Sequence, residues 1–580
     1  MSESVATIAC AVDIYPFEGG QYTFSGTQLQ SCTTQVGLNG ATPGTFSIGL
    51  PPGGPLGVDD PTPWSQVITP MSLVVIAMQR GSRAQVVLVG LVTTPAELIQ
   101  WGSPVIRQQS IQGVDFTAFF TQFNWATFST VGATTETAIG EALKLGTGGA
   151  IAQTLSPALF GFSQNSGTDG VSPVVIAQAW FNLMMGGSGS IMSQTRVPYQ
   201  GIYYPVQEIF ATRWENYLAE QALTVPMGDF LAAVDGTWMS KFQDLLPAPW
   251  YEFFIMTAPP GAYAFPGATV PSTGTPAVSG ATGVTFGGAL QFQSTSMPFA
   301  TPAVPTIVAR VKPIPSLTLN VTSAVDSGTF GDLDMSRWNA LPLYRPDSGV
   351  LISQQSFDMS EIANTYFVSP KWIYANMMGT GTEIVPSTFL YIMGADAASI
   401  HRYGYKPAFV STPWLYDAVY AGTNLSSDSI ADLMATLLAR LMSYYHPTAL
   451  MAKAVVKLPL RPDIFPGCRF RYAPSKSLIS WDFYVDSVSH NYNFGGDSIS
   501  DTTLTLSRGL PTIIYESGGA VGSLLSDIHR GNAQRLDGQY YAGVPAGLGT
   551  PLQTVVPINQ SALSAFLGSI ASVYVTPQAQ

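Results

Sequence analysis

Charge is what this sequence most lacks. Charged side chains make up 10% of its 580 residues, where soluble globular chains carry roughly 25%. Cysteine is scarce as well. Cys10, Cys32 and Cys468 form no Cys-x-x-Cys pair, and three thiols make no disulfide framework, so reduced, cytoplasmic folding is expected. The four histidines, His401, His446, His490 and His529, lie in separate segments, whereas a metal site needs clustered ligands. His-Glu-x-x-His, Gly-x-Ser-x-Gly and Gly-x-x-x-x-Gly-Lys are all missing. No metal site, cofactor site or catalytic residue is assigned. No clean apolar run reaches 18 residues. The nearest, Val171 to Met185, is short and contains Pro173, which argues against a spanning helix. The opening MSESVATIAC has neither a basic n-region nor an apolar h-region, so no secretory signal is expected.

Glycine (56) and proline (43) take the place of charge. Low charge with many turn formers is compatible with disorder, but 46% hydrophobic and 11% aromatic residues oppose it. A subunit of a large assembly fits better, because interface cores are depleted of charge. The net charge of -12 opposes a basic nucleic-acid-binding surface and leaves open an acidic lumen past which DNA slides. At this length one core is not enough, and three or four domains are expected.

The strongest β signal is Trp481 to Gly509. Trp481, Phe483 and Val485 alternate with Asp482, Tyr484 and Asp486, and Leu504 and Leu506 alternate with Thr503, Thr505 and Ser507. Period two puts the apolar groups of each arm on one face, and Gly495 to Ser498 supplies turn chemistry between them. Arg461 to Tyr472 adds a short strand. Near the start, Ser72 to Gln79 and Ala84 to Val92 read as strands split by a turn at Arg80 to Arg83, with Ile106 to Ile111 next.

Pro205 to Leu223 and Thr237 to Leu246 read as helices, and Ser427 to Tyr445 as the clearest one, apolar at i, i+3, i+4 and i+7. Ala258 to Pro305 carries no Asp, Glu, Lys or Arg and reads as a long loop or linker. Glu215 and Glu220 are the best carboxylate pair for glycan hydrolysis, yet five residues along a helix points them to different sides. A solvated helix face accounts for both. Arg469 and Arg471 could reach a phosphate backbone, and a strand with one polar face explains them equally well. His490 reads as a structural hydrogen-bonding group.

Several short motifs, in order, resemble the baseplate hub (late-control, tail hub) proteins of contractile-tailed bacteriophages. They are WSQVITP at Trp64 to Pro70, IQGVD at Ile111 to Asp115, and WMSKFQDLLPAPWYEFF at Trp238 to Phe254. RVKPIP at Arg310 to Pro315, DAASIHRYG at Asp396 to Gly404 and IFPGCRFRY at Ile464 to Tyr472 follow. YVDSVSH at Tyr484 to His490 and TLTLSRG at Thr503 to Gly509 complete the series. Order and coverage carry the resemblance, since each motif alone is weak.

The resemblance implies an α+β, mainly β chain with two tail-tube-like antiparallel β-barrel domains and mixed α/β domains between them. The expected divisions are a first barrel over 1–115, a partly helical domain over 116–246 and an extended region with the Gly/Pro-rich loop over 247–345. An α/β domain with helix 427–445 covers 346–455, strands closing the second barrel cover 456–512, and 513–580 is a C-terminal extension. The implied role is non-enzymatic. A homotrimer would match a hexameric tail tube to a trimeric central spike and nucleate tube assembly. Its partners would be spike, tube, tape-measure and baseplate wedge proteins, with DNA passing through the channel and no stable sequence-specific contact to it. Its place would be the virion tail baseplate, after assembly in the host cytoplasm. Tyr484, His490 and Arg508 would be structural or interface groups. A tail-associated cell-wall hydrolase and a host-binding tail-tip protein are the rival readings.

Overall fold

The computed structural model describes residues 7–38, 40, 42–55, 62–100, 106–122, 195–215, 236–263, 290–313, 316–320, 329–347, 349–356, 359–370, 372–376, 382–386, 392–395, 399–400, 403–412, 451–473, 480–494 and 500–512, with single helical residues at 174, 177, 181, 441, 444 and 445. Seven strands come first: β1 (Ile8–Tyr15), β2 (Tyr22–Ser25), β3 (Ser31–Gly37), β4 (Thr45–Leu50), β5 (Leu73–Arg80), β6 (Arg83–Gln100) and β7 (Ile106–Asp115). The hairpin β8 (Arg196–Tyr199) and β9 (Ile202–Pro205) follows, then β10 (Ala211–Trp214), β11 (Tyr251–Ala258) and β12 (Val304–Val311), which form a three-stranded sheet. Next are β13 (Ser316–Asn320), β14 (Thr329–Asp334), β15 (Leu343–Tyr344), β16 (Ile352–Ser356), β17 (Thr365–Pro370), β18 (Trp372–Asn376), β19 (Thr382–Pro386), β20 (Ile392–Ala395) and β21 (Pro407–Thr412). The last are β22 (Ala452–Pro459), β23 (Arg469–Tyr472), β24 (Trp481–Asn493) and β25 (Asp501–Pro511).

The chain is mainly β, with mostly antiparallel pairing, as expected. The hairpin at 481–509 forms as β24 and β25, and Gly81 supplies the positive φ (+61) of the β5–β6 turn. Two separate closed barrels do not form among the described residues. One 13-stranded sheet runs β16-β22-β25-β24-β3-β4-β7-β6-β5-β1-β2, with β23 beside β24 and β15 beside β23. The join is the antiparallel pairing of β24 with β3, Ser487 opposite Gly37 through Asn493 opposite Ser31. Alternation within single strands does not encode such a long-range pairing. Cys10 of β1 and Cys32 of β3 share one core, yet no ladder joins β2 to β3.

Both faces of β1 and β5 are buried, which is why β5 reads as an unbroken apolar run. Val74, Ile76 and Met78 enter one core with Cys10, Val12 and Ile14. Leu73, Val75 and Ala77 enter another with Ala11 and Tyr15. An aromatic layer fills the second core, where Phe242 stacks on Phe253 with ring centres 4.7 Å apart. Phe242 lies on the expected helix, Trp238–Leu245, whose N-terminus is capped by Thr237 Oγ1 accepting from Ser240 N at 3.2 Å.

Two expectations are corrected. Residues 205–214 form no α-helix: a 3-10 helix at Val206–Glu208 leads into β10, which pairs parallel with β12. Burial of Ile209, and of Trp214 in the β10–β12 ladder, overrides the helical spacing; 216–223 lie outside the described residues. The charge-free stretch 258–305 is not wholly a linker either. Phe292, Met297 and Ala300 are buried in the aromatic core, and Phe292 and Ala303 exchange backbone hydrogen bonds at 2.8 and 3.0 Å. Of the helix 427–445, Leu441, Tyr444 and Tyr445 are helical; the rest lies outside the described residues, as do residues 264–289 and 513–580.

Candidate functional site

Four of the motifs meet at one buried point. β11 and β12 sit between the two cores. Tyr251, Phe253 and Ile255 face the aromatic core, and Phe254 and Met256 face the other. Alternation therefore carries Glu252 to the same side as Phe254, and Arg310 lies opposite it in register on β12. Arg310 Nε donates to Glu252 Oε1 at 2.5 Å. Tyr484 Oη of β24 donates to Glu252, 2.7 Å from Oε1 and 2.9 Å from Oε2, and accepts from Arg310 Nη2 at 2.9 Å. Arg310 Nη2 also reaches the Gly467 carbonyl at 3.2 Å. The guanidinium lies over the rings of Phe254 and Tyr263, 5.4 and 5.7 Å from their centres. Burial opposes its charge, but Tyr484 and Glu252 outweigh burial and raise its pKa. Burial also pushes the Tyr484 phenol well above its usual range, with Arg310 pulling the other way. The cluster fastens the three-stranded sheet to the large one.

A second cluster explains Arg469 and Arg471. Both aim at Asp482, which is fully buried and opposite Arg471 in register. Arg471 grips it bidentately at 2.5 and 2.9 Å, and Arg469 Nη1 stands 3.6 Å away. Arg469 also donates to Asn339 Oδ1 at 3.0 Å and stacks over Trp338. Arg469 is buried and Arg471 half-buried, and both are committed to Asp482 rather than turned out to a phosphate backbone. The polar face read from the alternation is thus a second buried face.

A third cluster was not legible in the sequence. Asp13, fully buried on β1, accepts hydrogen bonds from Ser294 Oγ at 2.7 Å, Thr295 N at 2.8 Å, Thr295 Oγ1 at 2.9 Å and Ser296 Oγ at 2.8 Å. Thr23 Oγ1 adds a fifth at 3.1 Å. The Ser-Thr-Ser run that looked like linker chemistry is the donor set for one buried carboxylate.

The remaining candidates have local partners. Glu215 follows β10, accepts from Val311 N at 2.8 Å and pairs with Arg337. Its carboxylate is occupied, and Glu220 lies outside the described residues. His490 is buried, with Nδ1 2.9 Å from Thr502 Oγ1, which also accepts from Arg461 N at 2.8 Å. Burial lowers its pKa to about 4. His401, His446 and His529 lie outside the described residues. Cys10, Cys32 and Cys468 are buried free thiols, and burial raises Cys10 and Cys468. Among the described residues no group of three metal-ligating side chains exists, and no helix is long and apolar enough to cross a membrane.

No family model matches the chain, and no curated relative does. Its structural neighbours include phage tail and baseplate structures. A tail protein from Neisseria meningitidis MC58 aligns at 8% identity and a TM-score of 0.38, over 86% of this chain and 96% of that one. The 43 kDa tail protein of prophage MuSo2 from Shewanella oneidensis aligns at 10% identity and 0.36, over 87% and 98%. The phage P2 baseplate in its activated conformation with Ca aligns at 9% identity and 0.23, over 86% and 98%. At these identities and scores no residue-level equivalence follows.

Proposed function

We propose that this chain is a structural hub of a phage tail baseplate, a homotrimer joining a hexameric tube to a trimeric spike and nucleating tube assembly. The observation that supports it is the β3–β24 pairing, which sets two antiparallel units side by side in a single sheet. Three copies then bring six such units into a ring. The end strands suit a closed cyclic assembly: β2 and β16 each have one neighbour among the described residues, and unpaired edges are normally covered or blunted. A cyclic trimer joins different faces of one subunit, and apolar side chains are available for it. Ile352 on β16 is 61% exposed, Phe409 67% and Phe299 65%. The interior ion clusters add no reactive cleft, and Glu215 is held by Arg337 and the backbone. In this role the chain meets spike, tube, tape-measure and wedge proteins in the virion tail.

Native mass measurement of the purified chain, alone and with a spike protein, tests the reading. A trimer is expected. A monomer that stays monomeric with both spike and tube proteins overturns it.

A further inference from the structure

A cleft of about 420 Å³ opens between Lys312, just past β12, Tyr444 and residues of β16, β22, β24 and β25. Two departures from regular ladder geometry shape it. The β24–β25 register shifts between Val485 and Ser487, leaving Asp486 in a bulge. Arg508 on β25 has φ +54, a left-handed conformation costly for a side chain of its size. Bulges of this kind re-aim side chains, and both residues line the cleft.

Cations with unmet demand gather there. Arg508 is 6% exposed, and its guanidinium stacks 3.9 Å from the centre of the Tyr444 ring. Among the described residues its two hydrogen bonds are long and use Nη1, to Tyr444 O at 3.4 Å and Met451 Sδ at 3.6 Å. Lys312 Nζ lies 5.7 Å from the same ring centre. Among the described residues neither cation has a carboxylate oxygen within 4.0 Å. Lys453, also lining the cleft, is already paired with Glu361 at 2.8 Å. A buried cation without a close anion is costly, and here two share one ring.

We infer that the cleft is a receptor for one peptide carboxylate, seated between Lys312 and Arg508 over Tyr444. The ligand class follows from charge balance. Among the described lining residues three cations (Lys312, Lys453, Arg508) accompany two carboxylates (Glu361, Asp486), a surplus of one, which a single carboxylate neutralises. A dianionic phosphate overshoots it. A planar carboxylate also suits the free fork of Arg508. The group can come from a chain terminus or from an Asp or Glu side chain. The inference rests on the cleft alone and stands apart from the number of subunits.

Isothermal titration of the full chain with three N-acetylated alanine-rich hexapeptides tests it. One has a free C-terminus, one an amidated C-terminus with a central Glu, and one is amidated without Glu. Binding of either carboxylate peptide at least tenfold tighter than the neutral control is expected, and the preferred arm identifies the source. Lys312→Gln is expected to weaken binding at least fivefold with an unchanged melting temperature, and Arg508→Lys to weaken it as well. Equal binding of all three peptides, no binding at all, tighter binding of inorganic phosphate, or unchanged affinity in a folded Lys312→Gln variant overturns the inference.

Discussion

Glu252 and Arg310 are partners twice over, opposite one another in the β11–β12 ladder and joined through their side chains at 2.5 Å. The backbone register alone brings the two charges together. Tyr484, which closes the cluster, arrives from the large sheet.

The pair therefore behaves as a unit. Arg310→Met is expected to cost about 3–5 kcal/mol, because it leaves Glu252 buried and unpaired. Glu252→Gln combined with Arg310→Met should cost less than the Arg310 variant alone. Tyr484→Phe should cost about 1–3 kcal/mol through lost hydrogen bonds to a charged acceptor. Denaturant unfolding of these three variants and of Glu252→Gln alone checks this, and strict additivity in the double variant contradicts it.

Asp13 makes a similar forecast for the charge-free stretch. Removing 268–289 spares Ser294, Thr295, Ser296 and Phe292, and the sheet should stay folded. Extending the deletion to 295 removes three of the five donors to Asp13 together with Phe292, and soluble yield should collapse. Asp13→Ala alone should cost about 3 kcal/mol. Equal yields from the two deletions, compared by size-exclusion chromatography, count against the anchor.

His490 gives a pH signature. Its folded pKa of about 4 lies below the ordinary 6.5, so the unfolded chain binds the proton first as pH falls. Its influence is absent above pH 6.5, destabilises progressively towards pH 4 and levels off below, reaching about 3 kcal/mol. Asp115 and Asp486, both raised to about 6 by burial, act in the opposite direction. They favour the fold increasingly as pH drops from 6 to 3.8. Comparison with His490→Gln isolates the histidine. The stability of the wild type minus that of the variant should fall between pH 6.5 and pH 4, and a flat difference rules the assignment out.

Much of the sheet was legible because period-two alternation is local. The β24–β25 hairpin, the Arg80–Arg83 turn and the Thr237-capped helix all follow from neighbours in sequence. Charges in strands misled for a physical reason. Asp482 and Arg471 looked like a solvent-facing polar row, but another layer covers that face and they satisfy each other. Arg310, Glu252 and Gly467 belonged to recognisable motifs, yet nothing in one motif names its partner in another. Asp13 and Thr295 are 282 residues apart, and spacing carries no signal at that range. Ala211 to Trp214 lay within a helical spacing and became strand because β12 offered a ladder.

The β3–β24 seam also has a consequence in time. Thr33 Oγ1 meets Asn491 Oδ1 across it at 3.3 Å, over a separation of 458 residues. At roughly 5–20 residues per second, the ribosome needs about 20–90 s to deliver the second strand after the first. Throughout that interval β3 emerges with one edge unfilled, a template for any passing strand. Translation speed, or a chaperone shielding residues 31–37, then decides how much of the chain reaches its own β24 before it meets another molecule.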